Sequence, residues 1–450
     1  MLTRLPITGM RRLLRAREIS AVELVDAHLA EIDRNGKKLN AFVRVFSEQA
    51  REKARTAAGD GPLSGIPLTV KDCFDIAGFP TLCGSRFRLG HLAASSATAV
   101  ERLERAGAIL LGKTNCPEFL ANYETDNHIT GRTNNPHNPD RTCGGSSGGE
   151  AAAIAGFLSA GGLGSDGGGS IRLPAHFCGI CGLKPTPGRI PAAGHVPPIR
   201  HPGGLLGVAG PMARTAADLK LLFDVLAGHD DADPFSVPFT PPPPPRHKPR
   251  IGLMEQFGSV PVQPAIRDAV RQTATRLAAL GYEVTPFEPR DLDRAPNVWS
   301  FFFSELSVPF TRDLIQGRES EAHWTGIEFY NKLKDKPEPT GRQVVEQLAE
   351  RDRIRTSLLA QTRDVPVLLT PTACVTAFPH QSRRFPTEGK EIGLFQATMP
   401  LTWVNLVGFP ALALPARIDS EGLPAGIQFV GRPWCEEMLF EIALNLESQP

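Results

Sequence analysis

Apolar positions along the chain recur with two periods, and the switches between them mark where elements begin and end. Ser20, Ala21, Val22 and Glu23 have the spacing of a capping box, and Leu24, Val25, His28, Leu29 and Ile32 then share one face until Gly36. This pattern predicts a helix over 21–34. Residues 41–46 are dense in strand formers, and 48–58 return to a helical pattern. The short apolar run 66–70 lies between Gly65 and the charged residues Lys71 and Asp72, which predicts a buried strand presenting Lys71 at its end. Residues 98–106 predict a short helix stopped by Gly107, followed at once by a strand over 108–112. The same order of helix, glycine and strand returns at 266–280, Gly281 and 282–284, with Ile266, Val270, Thr273 and Leu277 as a core stripe. Recurring units of this kind predict an α/β protein whose sheet is covered by helices.

Composition narrows the class. The 450 residues, 41% of them hydrophobic, suffice for one large domain or two or three ordinary ones. Lys and Arg number 49 against 48 Asp and Glu, a net charge of +1, which argues against nucleic acid or an anionic membrane as partner and favours a neutral small molecule. With 43 glycines and 41 prolines, about a fifth of the chain where roughly an eighth is usual, many tight turns are expected. Eight scattered cysteines form no dense framework and predict reduced thiols in a cytoplasmic protein. Arg11, Arg12, Arg15 and Arg17 precede any long apolar run, so export by the general secretory route is not expected. The most apolar stretch, 151–163, is mostly alanine and glycine and too short to span a bilayer. Prolines 241–245 predict a stiff polyproline II connector, read as a surface crossing between two halves of one fold in preference to an SH3-type ligand. Eight aromatics crowd 295–333: Trp299, Phe301, Phe302, Phe303, Phe310, Trp324, Phe329 and Tyr330. They predict a peripheral helical layer, which would also line an apolar substrate pocket on a second reading.

Two glycine-rich stretches, 143–150 and 164–170, bring in candidate chemistry, because such density lets backbone N–H groups crowd a ligand oxygen. A phosphate cradle fails in detail: Gly148 and Gly149 run into Glu150 where Lys and Ser or Thr are needed. A dinucleotide fingerprint is likewise missing. What remains is serines beside backbone donors: Ser146, Ser147 and, directly after three glycines, Ser170. A nucleophilic serine needs a base and an oxyanion needs donors; consecutive amides of Gly167, Gly168 and Gly169 would supply them at about 3 kcal/mol each. His128, His137 and His176 are near in sequence but are expected at surface or supporting positions. Lys71 is the stronger base candidate, since a lysine kept from water loses several units from its usual pKa of about 10.4. Cys178 and Cys181 have metal-like spacing with no second pair, so packing is expected there and no metal.

The blocks 144–149, 164–175 and 178–186 together resemble the signature of the amidase signature hydrolases. The likeness extends to 65–72, 111–115 and 210–215, and near the C-terminus to 368–372, 405–411 and 422–428, leaving about 230–360 without recognisable motifs. The resemblance implies a single large α/β domain over 1–450, a mixed twisted β-sheet enclosed by α-helices. Its motif-bearing core would span about 60–225 and 360–435, with a variable helical layer over about 230–360. It also implies a Ser-cisSer-Lys triad: Ser170 as nucleophile, Ser146 as bridging serine behind a cis Gly145–Ser146 bond, and Lys71 as base. The oxyanion hole would be the amides of Gly167, Gly168, Gly169 and Ser170, although the family varies at the position of Gly167. Ser147 and Asp166 are assigned support of the loop or base, and Arg172 a structural ion pair in preference to a substrate carboxylate. The implied activity is hydrolysis of a carboxylic amide to acid plus ammonia or amine through an acyl-enzyme, on an apolar acyl group, without a cofactor. The expected partner is a small-molecule amide, with no nucleic acid or membrane, and a homodimer is allowed for. Two alternatives are the A subunit of a glutamyl-tRNA(Gln) amidotransferase and a non-catalytic binding protein on the same fold. Against the first, the 203–209 stretch lacks the Asp-Gln pair expected of that branch.

Overall fold

The protein is seen in a computed structural model that describes residues 2–57, 61–242 and 247–448. Prolines 243–245 of the predicted connector lie outside that range. The strands are β1 (Phe42–Val45), β2 (Pro67–Lys71), β3 (Ile109–Thr114), β4 (Gly161–Asp166), β5 (Cys181–Lys184), β6 (Val208–Ala213), β7 (Ile251–Leu253), β8 (Val284–Pro286), β9 (Val367–Pro371), β10 (Arg384–Thr387), β11 (Lys390–Gly393), β12 (Ala411–Ile418) and β13 (Pro424–Gly431). Strands β10 and β11 form a separate hairpin, and the other eleven form one sheet in the order β1-β3-β2-β4-β6-β5-β12-β13-β9-β7-β8. The sheet is mixed: β2 runs parallel to both β3 and β4, whereas β4–β6, β5–β12 and β12–β13 are antiparallel. The fold is therefore the single α/β domain with a mixed sheet flanked by helices that the motifs imply.

Strand β2 shows why the sequence pattern reads as it does. Every residue in it is buried, because parallel neighbours on both sides leave no solvent-facing edge. Successive side chains alternate between faces: Leu68 and Val70 enter the main apolar core, while Thr69 and Lys71 enter a buried polar network on the other side. A second apolar cluster holds Ile154, Ala175 and Met212. A third, around Trp299, Phe302, Trp403 and Phe409, fastens the helix Ala295–Phe303 to the helix Leu394–Val407.

Two expectations shift. The first long helix runs Ala21–Leu39, through Gly36, and Asn40 in left-handed geometry (φ 50°, ψ 47°) ends it. One interior glycine costs about 1 kcal/mol, and the burial of Leu39 carries the helix past it. The motif-poor 230–360 segment is not wholly a helical layer: β7 and β8 extend the main sheet, with helix Pro264–Ala279 beside them, before the helices from Ala295 onward. The β8 strand begins at Val284 because Gly281 (φ 80°) and a buried Tyr282 make the turn first. No helix among the described residues is long and apolar enough to cross a membrane.

Candidate active site

Lys71 ends β2 fully buried, and its Nζ lies 2.7 Å from Ser146 Oγ and 3.1 Å from Ser165 Oγ. Ser146 follows a cis peptide bond from Gly145 and immediately precedes Ser147, the residue before the helix Gly148–Ala155. A buried amine at this distance from a hydroxyl is in reach for proton transfer. Ser147 faces another way: its N–H donates to the Ser170 carbonyl (3.1 Å), and its hydroxyl meets the Ser165 carbonyl (3.3 Å) and N–H (3.4 Å). It ties the two glycine-rich loops together and does not touch Lys71. Ser170 is half-buried and, with Ser146, opens on a cavity of about 580 Å³.

Asp166, at the end of β4, organises the loop that carries Ser170. Its carboxylate accepts from the N–H groups of Gly169 (2.7 Å), Ile171 (3.1 Å) and Arg172 (3.4 Å), and from the Arg172 side chain at 3.0 Å through both Nε and Nη2. Asn405 Nδ2 adds a bond at 2.9 Å. Burial pushes the carboxyl up, but the Arg172 charge and hydrogen bonds and the Asn405 amide outweigh it and hold the group well below the usual carboxylate range. Arg172 is completely buried, and its remaining donors go to Asn405 Oδ1 (2.6 Å), Gln428 Oε1 (3.0 Å) and the Leu401 carbonyl (3.1 Å). It has the structural ion pair, and it is buried away from the cavity lining.

These contacts correct one residue of the expected oxyanion hole. The N–H of Gly169 is committed to Asp166, and its φ of 114°, with a would-be Cβ 2.5 Å from Leu401, leaves only glycine possible there. The N–H groups of Gly167, Gly168 and Ser170 have no protein partner among the described residues, and Gly167 and Ser170 line the cavity. Two aromatic donors hold the carbonyls of this loop: Trp299 Nε1 bonds to Gly167 O (2.9 Å) and the Tyr123 hydroxyl to Gly168 O (2.8 Å).

Glu150, which entered the sequence reading only by excluding a phosphate loop, is fully buried. It accepts hydrogen bonds from Thr69 of β2 and from Thr114 of β3 (2.6 Å), joining the helix that follows Ser146 and Ser147 to the lysine strand and its neighbour. Burial pushes its carboxyl up to about 7, against the two threonine hydrogen bonds and the Lys71 charge. Asn405 and Gln428 fell inside recognised C-terminal blocks, yet nothing in the chain alone said that both would meet Arg172. Of the three nearby histidines, His176 is buried and links Gly426 N–H (2.7 Å) to the Val375 carbonyl (3.0 Å), with burial lowering it to about 4. His137 bonds to the Cys178 carbonyl and His128 to that of Ala322. None meets Ser146 or Ser170. Cys178 and Cys181 are separate buried thiols, directed at the carbonyls of Cys143 and Arg214.

The aromatic segment both packs and lines. Phe302, Phe303, Phe310 and Phe329 face the cavity together with Phe119, Leu314 and Ile315, whereas Phe301 packs edge-on against Phe302 and Trp324 bonds to Asp126. Glu118 also lines the cavity, but its two oxygens already accept from Ser85 Oγ and the His323 N–H, each at 2.8 Å.

The Amidase family model matches residues 23–440. The A subunit of a glutamyl-tRNA(Gln) amidotransferase from Chloroflexus aurantiacus is 34% identical, the alignment covering 97% of this chain and 95% of that protein. An indoleacetamide hydrolase from Bradyrhizobium diazoefficiens is 31% identical over 97% of this chain and 84% of its own length. Among solved structures, a 6-aminohexanoate cyclic dimer hydrolase complexed with substrate superposes with a TM-score of 0.88 at 29% identity, covering 99% of this chain and 97% of that one. The chain belongs to the amidase signature family.

Proposed function

We propose that this member of the amidase signature family hydrolyses a carboxylic amide with an apolar acyl group, releasing the acid and ammonia or an amine. The observation that carries the reading is the apolar cavity opening on Ser146 and Ser170 directly above a buried lysine. In the proposed cycle Lys71, as base, takes the Ser146 proton while Ser146 takes that of Ser170. Ser170 Oγ attacks the amide carbonyl, and the negative oxygen is met by the N–H groups of Gly168 and Ser170, with Gly167 adjacent. The relay then runs backwards to protonate the departing nitrogen, and water hydrolyses the acyl-enzyme along the same path. Asp166 and Arg172 keep the loop in shape and stay out of the chemistry.

The apolar acyl preference is supported by the phenylalanine wall and by the prior engagement of both lining carboxylates, Glu118 with Ser85 and His323 and Asp166 with Arg172, which leaves the exposed Arg200 as the other charged residue of the lining. The test is intact-mass spectrometry after treatment with an aryl fluorophosphonate, on wild type and on Ser170→Ala. One adduct on the wild type and none on the variant is expected. No adduct on folded wild type would overturn the assignment of the nucleophile. A panel of aryl, aliphatic and short polar amides then tests the acyl group, and higher kcat/KM for the short polar members would refute the apolar preference.

The amidotransferase reading draws on the 34% identity to such subunits. It would place a free glutamine in the same cavity. Ammonia release from glutamine, together with co-purification of a larger partner, would support it over the first reading.

A further inference from the structure

The oxyanion loop is held from outside by a side chain of the motif-poor segment. Trp299, on the helix Ala295–Phe303, donates its indole N–H to the Gly167 carbonyl at 2.9 Å. In a trans peptide the C=O and the following N–H point in opposite directions, so this bond turns the N–H of Gly168 away from the indole. The fit is close: a Cβ on Gly168 would come within 2.4 Å of the Trp299 ring. One turn along the helix, Phe303 stacks on Trp299 with centroids 4.6 Å apart and planes 14° apart, and packs edge-on to Phe329 at 5.9 Å. Both Phe303 and Phe329 line the cavity, whereas Trp299 is 5% exposed and does not. A continuous aromatic path therefore runs from the acyl cavity to the peptide whose N–H remains free for an oxyanion.

We propose that Trp299 is a positioning residue that aims the Gly168 N–H, and that an acyl group seated against Phe303 and Phe329 steadies it through the ring stack. This inference rests on the proposed role of Ser170 and adds to it a route by which filling the cavity sharpens the oxyanion hole. It makes the specificity for apolar acyl groups appear in the rate of the bond-forming step as well as in binding.

The test uses the same aryl fluorophosphonate, with its two kinetic constants separated. Formation of the Ser170 Oγ–P bond with loss of fluoride places the phosphoryl oxygen among the oxyanion donors, so kinact reports on them and KI on the cavity. In Trp299→Phe, which keeps an aromatic ring and loses the N–H, kinact should fall about 10- to 100-fold, less than the full loss of a donor, with KI within about threefold. Equal kinact in wild type and Trp299→Phe overturns the inference while leaving Ser170 as nucleophile; an unlabelled wild type overturns the underlying reading instead. If Trp299→Phe fails to fold, Phe303→Leu decides, since it keeps the indole bond and removes the stack. A fall in kinact for aryl probes, larger than for a small methyl fluorophosphonate, is expected there, and a change confined to KI refutes the coupling.

Discussion

Replacing Arg172 by methionine, which is similar in length and apolar, isolates the electrostatic core of the loop that carries Ser170. Both Arg172 and Asp166 have 0% side-chain exposure, so solvent does not screen what is lost. In the wild type the Asp166 carboxyl is held below its unfolded value. Its contribution to stability is therefore present above about pH 4 and lost as pH falls through the depressed folded value. In Arg172→Met, burial, already the largest single influence, is no longer outweighed, and the folded value is expected to rise above the unfolded one, so the sign reverses and stability drops as pH rises from about 4. The cost of the substitution should thus grow with pH. Removing one partner of a buried pair costs about 3–5 kcal/mol, and here the amides of Gly169 and Ile171 and the Asn405 side chain remain as partners, which points to the lower end near neutral pH. An unfolding entropy of roughly 2.1 cal/mol/K per residue over this length makes about 1 kcal/mol correspond to one degree. Scanning calorimetry at pH 5 and pH 8 should therefore show a Tm deficit of about 3 °C at pH 8 and less at pH 5. A deficit below 1 °C at pH 8, or one larger at pH 5, would refute the argument that charge pairing, and not packing, is what Arg172 supplies.

Three further outcomes are expected. Lys71→Ala should nearly abolish amide turnover and Ser146→Ala should lower kcat by several orders of magnitude, with each protein still folded; wild-type kcat in Lys71→Ala would remove the base assignment. Gly169→Ala combines φ 114° with a Cβ 2.5 Å from Leu401, so it should lose about 1–3 kcal/mol by denaturant titration and lower kcat as the loop shifts off Asp166. Glu150 holds its proton up to about pH 7 in the folded state against 4.5 unfolded, so wild-type stability should decline between those values by up to about 3 kcal/mol. Glu150→Gln, which has no proton to lose, should flatten that part of the Tm–pH curve, and an unchanged slope would show that Glu150 is not its source.

What the chain disclosed, and what it withheld, follows the range of the interactions involved. The strand over 67–71 was legible because a run of apolar residues bounded by Gly65 and a charged pair is a local signal, and so was the helix, glycine and strand unit around Gly107. The lysine and the serines stood out as separate candidates at a buried strand end and in the glycine-rich stretches, but their joining in one relay was legible only through motif likeness, since spacing alone does not say that residues 75 positions apart will meet at 2.7 Å. Asn405 and Gln428 reach Arg172 across 233 and 256 residues, and Glu150 meets Thr69 across 81; no periodicity encodes such pairings, which arise when distant strands are laid side by side. The commitment of the Gly169 N–H to Asp166 was hidden for a different reason. Three consecutive glycines look equivalent in sequence, and only the φ angles and the acceptors around them separate one that braces the loop from those left free. The aromatic segment shows the limit from the other side. Its composition was evident and its two readings were posed as alternatives, but a helix carries both kinds of residue at once, so Phe303 faces the cavity while Trp299, four positions earlier, faces the loop. On the proposed function, substrate choice and oxyanion geometry would thereby share a single helix of the segment that has no motif, where either could change while the residues of the proposed relay stay fixed.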